Sequence, residues 1–350
     1  MSIQPGKPIR CALVGLGRIS AKHLEAIAAL PAEMELVAVC DHDPQTLAAF
    51  NPAHSAQRFT DIDVMLAQAQ PDIVSICTPS GLHPQHGIVV AGAGRHVIVE
   101  KPMATSWQQG LALLEATKKG GGQFFMVLQN RYNDTIRALK SAMDEGRFGR
   151  IYMLTSNVFW TRPQSYYDQA AWRGTWALDG GAFMNQASHY VDMMGWLGGD
   201  VVQVQASIAT LARRIEAEDT GAAIFSYKNG AVGTLSVTML TYPKNREGSI
   251  TVLGEKGYVR IGGTAMNVVE AWEFADKKPE DDSIMQASYA TDSVYGNGHA
   301  VFYARVIAAL RAGRAPEIDG EEGLKSLELL CAIYDSAKTG RAVALPLARA

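Results

Sequence analysis

Between residues 9 and 130 short apolar runs alternate with segments of helical spacing. The runs are IRCALVGLG, MELVAVCD, DIVSICTP, HVIVEKP and QFFMVLQN. Helical periodicity falls between them, over RISAKHLEAIAAL and around 61–69, 81–93 and 105–119. Continuous apolar strands separated by helices predict a parallel sheet covered on both faces.

The pattern changes after RYNDTIRALKSAMDEGRFGR, a helix expected to bridge the two halves. IYMLTSNVFW, VVQVQASIAT, GAAIFSYK, AVGTLSVTML, SITVLG and GYVRIGG are rich in β-branched residues, often alternate, and several are parted by turns such as KNG and GEKG. They predict a mainly antiparallel open sheet, accompanied by helices at about 183–197, 297–312 and 320–339. The fold class is therefore α/β: a Rossmann domain over 1–130, then an α/β domain with an open sheet over 131–350. The C-terminal tail is allowed to pack back on the first domain. The free face of the open sheet suits another subunit, so a homo-oligomer is expected.

Composition narrows the classes. At 350 residues, 47% hydrophobic and 19% charged, the chain carries enough apolar mass for two cores. A net charge of −3 argues against a general nucleic-acid surface or a polybasic membrane anchor. No run has the length of a membrane span, and MSIQPGKPIR lacks an apolar signal core. A cytoplasmic location is expected. Cys11, Cys40, Cys77 and Cys331 form no CxxC pair, so free buried thiols are the default.

Ligands on parallel sheets bind at the carboxyl ends of the strands. Those ends hold Gly15–Ser20 (with Arg18 and Ile19), Asp41, Thr78–Ser80, Glu100–Pro102 and Gln129–Arg131. GLGRIS reads as GxGxxS: Gly15 permits the turn, Gly17 lets backbone amides approach a pyrophosphate, and Ser20 stands in for the third glycine. Asp41 follows Gly17 by 24 positions and ends the next strand. Its carboxylate suits ribose hydroxyls and repels a 2′-phosphate, which favours NAD over NADP. His42 beside it softens that preference when protonated. Lys101, at the same edge, is a candidate to reach the reacting end of a nicotinamide.

GGAFMNQASHYVD, residues 180–192, places Asn185 and His189 at i and i+4 if it is helical. The plain alternative is a core histidine with Gly180 and Gly181 as a hinge. Before it, NVFWTRPQSYYDQAAWRGTW holds six aromatics in twenty residues, together with Arg162 and Arg173. TYPKNREGS adds Tyr242, Lys244, Asn245 and Arg246. Aromatic faces stack on sugars and bases, and arginine forks match phosphates and carboxylates, so two such clusters suggest an anionic, sugar-like substrate. The alternatives are a lid, an oligomer contact or solvated turns. His83 and His86 lack an accompanying carboxylate or cysteine set, and no metal is expected.

VGLGRISAKH, TPSGLHPQH, VEKPMATS, WRGTWALDGGAFMNQASHYVD and GEKGYVRI together resemble the glucose–fructose oxidoreductase, inositol dehydrogenase and rhizopine-catabolism family. The resemblance covers nearly the whole chain. It implies a dimer or tetramer built through the open sheet. Within the family, QNRYNDTIRALKSAMDEGRFGRIY, FWTRPQSYYDQAAWRGTWALDGGAFMNQASHYVDMMGWL and TYPKNREGSITVLGEKGYVRIGG resemble dehydrogenases that oxidise C3′ of UDP-2-acetamido-2-deoxy-D-glucuronate. Those enzymes serve the synthesis of diacetamido-uronic acids for surface polysaccharide.

The resemblance implies that Lys101 and His189 flank the reacting carbon, with His189 first choice as base and Lys101 polarising the oxygen. Lys101 as base, or a relay, stays open. Many family members carry aspartate one turn before this histidine, where this chain has Asn185. Asn185 orients without adding charge, and Asp192 is expected to pack locally. NAD is assigned to Gly15, Gly17, Arg18, Ile19 and Asp41, to Thr78, Ser80 and His83, to Glu100, Lys101 and Gln129, and to Trp172 and Arg173. The UDP-sugar is assigned to Lys101, Arg131, Arg162 and Tyr166, to Asn185 and His189, to Tyr242, Lys244 and Arg246, and to His299 with lower rank. NADH leaves to solution or is reoxidised in place by a 2-oxo acid such as 2-oxoglutarate. The competing readings are a dehydrogenase of a free sugar or inositol, and a non-catalytic NAD-sensing regulator.

Overall fold

The computed structural model describes residues 3–4, 6–50, 55–291, 294 and 298–349. Two compact units emerge: residues 1–129 with 299–327, and residues 130–298 with 328–350. The chain changes unit at residue 130, and 299–327 groups with the first unit.

The first unit contains a six-stranded parallel sheet of order β3-β2-β1-β4-β5-β6. Its strands are β1 (Ile9–Val14), β2 (Met34–Cys40), β3 (Gln57–Phe59), β4 (Ile73–Ile76), β5 (His96–Val99) and β6 (Phe124–Met126). Every residue of β4 and β5 is buried, as the continuous apolar runs require of strands covered on both faces. Between them run α1 (Ser20–Ala28), α2 (Pro44–Ala49), α3 (Ile62–Ala69), α4 (His83–Gly92) and α5 (Trp107–Gly120). Asp43 caps α2 through Gln45 N–H and Thr46 N–H, and Asp61 caps α3 through Val64 N–H, satisfying amides the helices leave open. The apolar pattern does not predict the short strand QRF, which makes the HVIVEKP strand the fifth of the chain.

The second unit holds an eight-stranded sheet of order β13-β12-β11-β7-β10-β9-β8-β14. Its strands are β7 (Ile151–Phe159), β8 (Val201–Ala209), β9 (Thr220–Tyr227), β10 (Val232–Thr238), β11 (Glu247–Gly254), β12 (Gly257–Gly262), β13 (Val268–Phe274) and β14 (Val343–Ala344). All pairs are antiparallel except β7 with β10. Among the described residues α6 (Asp134–Asp144), α7 (Gln164–Tyr167) and α8 (Ser188–Gly198) lie in this unit, whereas α9 (Gly298–Ala312) and the first part of α10 (Gly320–Thr339) fall in the 299–327 segment of the first. Helix α8 packs on β7 and β10. Alternation sends Ala223, Phe225, Leu235 and Val237 inward. The opposite face carries Met153, Ile224 and Val232, which are 37%, 49% and 41% exposed.

Candidate active site

Strand order reverses between β1 and β4, and there the loops after these strands touch. Gly15 has φ +90°, and a Cβ on it would stand 2.8 Å from the backbone of Cys77 and Thr78, so only glycine fits. Nothing lies within 4 Å of a Cβ on Gly17, which leaves the loop's outer side open to a ligand. Ser20 begins α1, and its hydroxyl donates to Gly17 O at 2.6 Å. The serine thus ties the loop to the helix where a third glycine would only make room. Asp41 Oδ2 accepts from Leu16 N–H at 2.8 Å and Oδ1 from Asp43 N–H at 3.0 Å. The His42 ring is fully in solvent, 3.2 Å from Asp41 Oδ1. A tight glycine turn, an open face at a helix N-terminus and a fixed acid fit a dinucleotide.

The loop after β4 is joined to the loop after β5 by one imidazole. His83 Nε2 faces Thr78 O at 2.8 Å and Nδ1 faces Pro102 O at 2.7 Å. Burial pushes its pKa down despite these carbonyls, so the ring is neutral and donates to one of them. Thr78 Oγ1 also meets His86 Nδ1 at 3.1 Å, and Ser80 is buried.

Glu100 is buried, and its Oε2 accepts from Lys101 N–H at 3.0 Å. Its Oε1 lies 3.0 Å from His23 Nε2 and 3.5 Å from His299 Nε2. His23 Nδ1 meets Tyr303 Oη at 2.8 Å, which meets Ser75 Oγ at 2.9 Å. Burial lowers the pKa of His23, whereas the two histidines hold Glu100 well below the usual carboxylate range against its own burial. A single hydrogen-bond direction follows: Ser75 to Tyr303 to neutral His23 to ionised Glu100. The carboxylate side chain faces this core network, and the backbone of Lys101 is what it holds. His299, expected to line a substrate pocket, is 4% exposed beside Glu100. These three side chains are the one group among the described residues with a metal-ligand donor set. The network already accounts for both ring nitrogens of His23.

In the second unit the 180–192 stretch is not one helix. A π-helical turn spans Ala182–Gln186, and α8 begins at Ser188. The i, i+4 relation of Asn185 and His189 therefore crosses a break. Its cause is long-range: Glu218 Oε1 accepts from Phe183 N–H at 2.9 Å, while Tyr334 Oη accepts from Met184 N–H at 3.0 Å and Gly181 N–H at 3.3 Å. Tyr334 donates in turn to Glu218 at 2.9 Å. The two glycines are there for space rather than as a hinge. A Cβ on Gly181 would overlap the Glu218 carboxylate, and Gly180 has φ +72° against Met184. Burial pushes Glu218 up to about 7.

His189 is 6% exposed and Asn185 half-buried. Asn185 Nδ2 donates to Asp179, whose other oxygen accepts from Gly174 N–H at 2.6 Å. Asp179 is a residue that sequence reasoning misses. Its signal is local: an acid directly before the paired glycines. Arg131 is buried and forks onto Asp192 at 2.9 and 2.7 Å, which gives Asp192 its local packing role. Gln129 is buried at the end of the β6 loop.

The aromatic and basic stretches converge. The guanidinium of Arg173 lies 4.4 Å from the Tyr166 ring and 4.7 Å from that of Trp172, and Arg162 lies 5.4 Å from Tyr166. Asn245 accepts from Thr161 N–H at 2.9 Å, and Arg246 N–H donates to Phe159 O at 2.8 Å, joining TYPKNREGS to this cluster. Tyr242 and Lys244 are exposed there, and Arg246 is exposed with its guanidinium on Tyr242 O at 2.8 Å. Arginines assigned separately to cofactor and substrate thus share one tyrosine.

These features define an NAD-binding oxidoreductase. Residues 9–128 match the oxidoreductase-family NAD-binding Rossmann fold, and residues 140–345 match the oxidoreductase-family C-terminal α/β domain. The chain belongs to the glucose–fructose oxidoreductase, inositol dehydrogenase and rhizopine-catabolism family. It is 54% identical to the WlbA dehydrogenase of Bordetella pertussis, solved with NADH and UDP-GlcNAcA, with TM-score 0.92 over 98% of this chain and 99% of that one. It is 53% identical to the WlbA dehydrogenase of Chromobacterium violaceum, also solved with NADH and UDP-GlcNAcA, with TM-score 0.95 over 99% of each. The D-glucoside 3-dehydrogenase of Escherichia coli is 24% identical over 98% of this chain and 99% of that protein.

Proposed function

We propose that this chain catalyses NAD-dependent oxidation of the C3′ hydroxyl of UDP-2-acetamido-2-deoxy-D-glucuronate to the 3-keto sugar, a step toward diacetamido-uronic acids of surface polysaccharide. The observation that carries this reading is identity of 53–54% across nearly the full chain with two proteins solved holding NADH and UDP-GlcNAcA.

The Gly15–Ser20 loop and the start of α1 hold the pyrophosphate of NAD, and Asp41 holds a ribose. NAD, when bound, accepts the hydride. His189 takes the hydroxyl proton, because imidazole exchanges protons near neutral pH. Lys101 places a positive charge where the alkoxide develops, which lowers the barrier most in a water-poor site. Glu100 fixes the backbone of Lys101. Arg162, Arg173 and the 242–246 turn offer cations to diphosphate and uronate, which a neutral polyol does not need. That charge favours the nucleotide sugar over a free sugar or inositol. Retention of Lys101 and His189 together favours an enzyme over an NAD sensor.

The half-apolar open face of the second sheet, with Met153, Ile224 and Val232, supports a homo-oligomer through β7, β9 and β10. The four cysteines are buried thiols, which supports work in the reducing cytoplasm. No helix among the described residues is long and apolar enough to cross a membrane. NADH is released, or reoxidised in place by 2-oxoglutarate. One screen tests the reaction and its recycling: UDP-sugars and free polyols are supplied with NAD, with and without 2-oxoglutarate, following NADH and product mass. A product two hydrogens lighter from the UDP-uronate supports the reading. Turnover only of free polyols overturns it.

A further inference from the structure

Asp179 is 1% exposed, and both of its oxygens are engaged: one by Gly174 N–H at 2.6 Å, the other by Asn185 Nδ2. In that second bond the Asp179 oxygen is the acceptor. It therefore fixes which end of the Asn185 amide faces it, and that end is the NH2 group. The Asn185 backbone is fixed as well, its N–H on Gly181 O at 2.9 Å inside the π-helical turn. An amide held this way cannot exchange its two ends without losing that hydrogen bond.

We propose that Asp179 is a positioning residue that sets Asn185 as a hydrogen-bond acceptor in the dehydrogenase reaction, so that the amide oxygen is the end offered to the sugar hydroxyl beside His189. The inference rests on the assignment of Asn185 and His189 to the chemistry.

The test reverses the amide and then restores it. In Asp179→Asn the Gly174 N–H keeps an oxygen to donate to. The new NH2 group faces that of Asn185, and Asn185 turns over to present N–H where it had presented oxygen. Single-turnover hydride transfer from UDP-2-acetamido-2-deoxy-glucuronate should fall about 10²-fold, the scale of a misplaced reacting group, with NAD affinity unchanged. Adding Asn185→Asp to that variant puts a carboxylate at position 185, accepting from the new amide at position 179 and presenting oxygen again. The rate should recover most of the loss. The acidic limb of the pH profile should change as well, because a carboxylate beside His189 raises an imidazole pKa. A role in folding alone would move stability but give neither the rescue nor the new profile.

A rate within about twofold of the unaltered enzyme for Asp179→Asn, or a double variant no faster than the single one, overturns the proposal, since a misplaced reacting group costs far more. If Asp179→Asn does not fold, Asn185→Asp alone decides. Two facing carboxylates must share a proton, so a new ionisation should appear in the rate, and an unchanged profile overturns the proposal. His189→Asn, run in parallel, separates the two levels. Normal chemistry in that variant removes the underlying assignment. Slow chemistry there with a normal Asp179→Asn removes only the role of Asp179.

Discussion

Asp41 accepts a 2.8 Å hydrogen bond from the backbone N–H of Leu16, so the acid that ends β2 is built into the glycine loop that ends β1. In the proposed reading the carboxylate that shapes the loop also holds the ribose. NAD should therefore bind much more tightly than NADP. Asp41→Ala should narrow the gap and weaken NAD as well, because the loop loses a bond. Calorimetry on both dinucleotides checks this. Equal affinities in the unaltered protein would refute the role given to Asp41.

The buried network around Glu100 gives a stability prediction with an internal control. His23→Leu leaves an ionised carboxylate short of its nearest donor and should cost about 1–3 kcal/mol or more. Glu100→Gln removes the charge itself and should cost less. Chemical denaturation of both variants reads the difference, and an equal or reversed order would contradict the charge assignment.

Glu218 links stability to pH. Its folded pKa of about 7 lies above the 4.5 usual for glutamate, because burial penalises the anion. A raised folded value contributes stability that is full below the unfolded pKa and is lost as pH rises through the folded one. Relative to Glu218→Gln, which keeps an oxygen for Phe183 N–H, the unaltered protein should lose stability between about pH 4.5 and 7. Thermal melts across pH measure this, and parallel curves would contradict it.

The arginine cluster predicts discrimination by charge. Each well-placed charge-assisted bond is worth roughly 1.5–3 kcal/mol. UDP-2-acetamido-2-deoxy-glucuronate should therefore turn over far better than UDP-N-acetylglucosamine, and Arg162→Ala should lower kcat/KM for the uronate. Equal specificity constants for the two sugars would remove the carboxylate contact from the account.

What is legible in the sequence follows from local pattern. Continuous apolar runs mark five of the six parallel strands, and the glycine loop and Asp41 lie at their ends. The strands β3 and β14, three and two residues long, carry no period to read. VVEAWEF, which forms β13, does not alternate cleanly. The candidates Lys101, Asn185 and His189 can be named from the sequence, but what holds them in place cannot. Glu100 is tied to His23 across 77 positions, and the π-helical turn is set by Tyr334, 150 positions beyond Met184. No local spacing encodes such partners. Arg131 forks onto buried Asp192, 61 positions further on, another partner that no local spacing encodes.

The most direct test of the account is single-turnover formation of NADH from UDP-2-acetamido-2-deoxy-D-glucuronate, followed across pH for the unaltered protein, His189→Asn and Lys101→Met, with substrate affinity measured separately. The unaltered protein should form NADH rapidly, His189→Asn should be slower by roughly 10²–10⁴-fold with its ionisation lost from the profile, and Lys101→Met should show slowed chemistry. Substrate affinity should change less than rate in the histidine variant. A near-normal rate and unchanged profile for His189→Asn, beside an inactive Lys101→Met, would contradict it and make Lys101 the base.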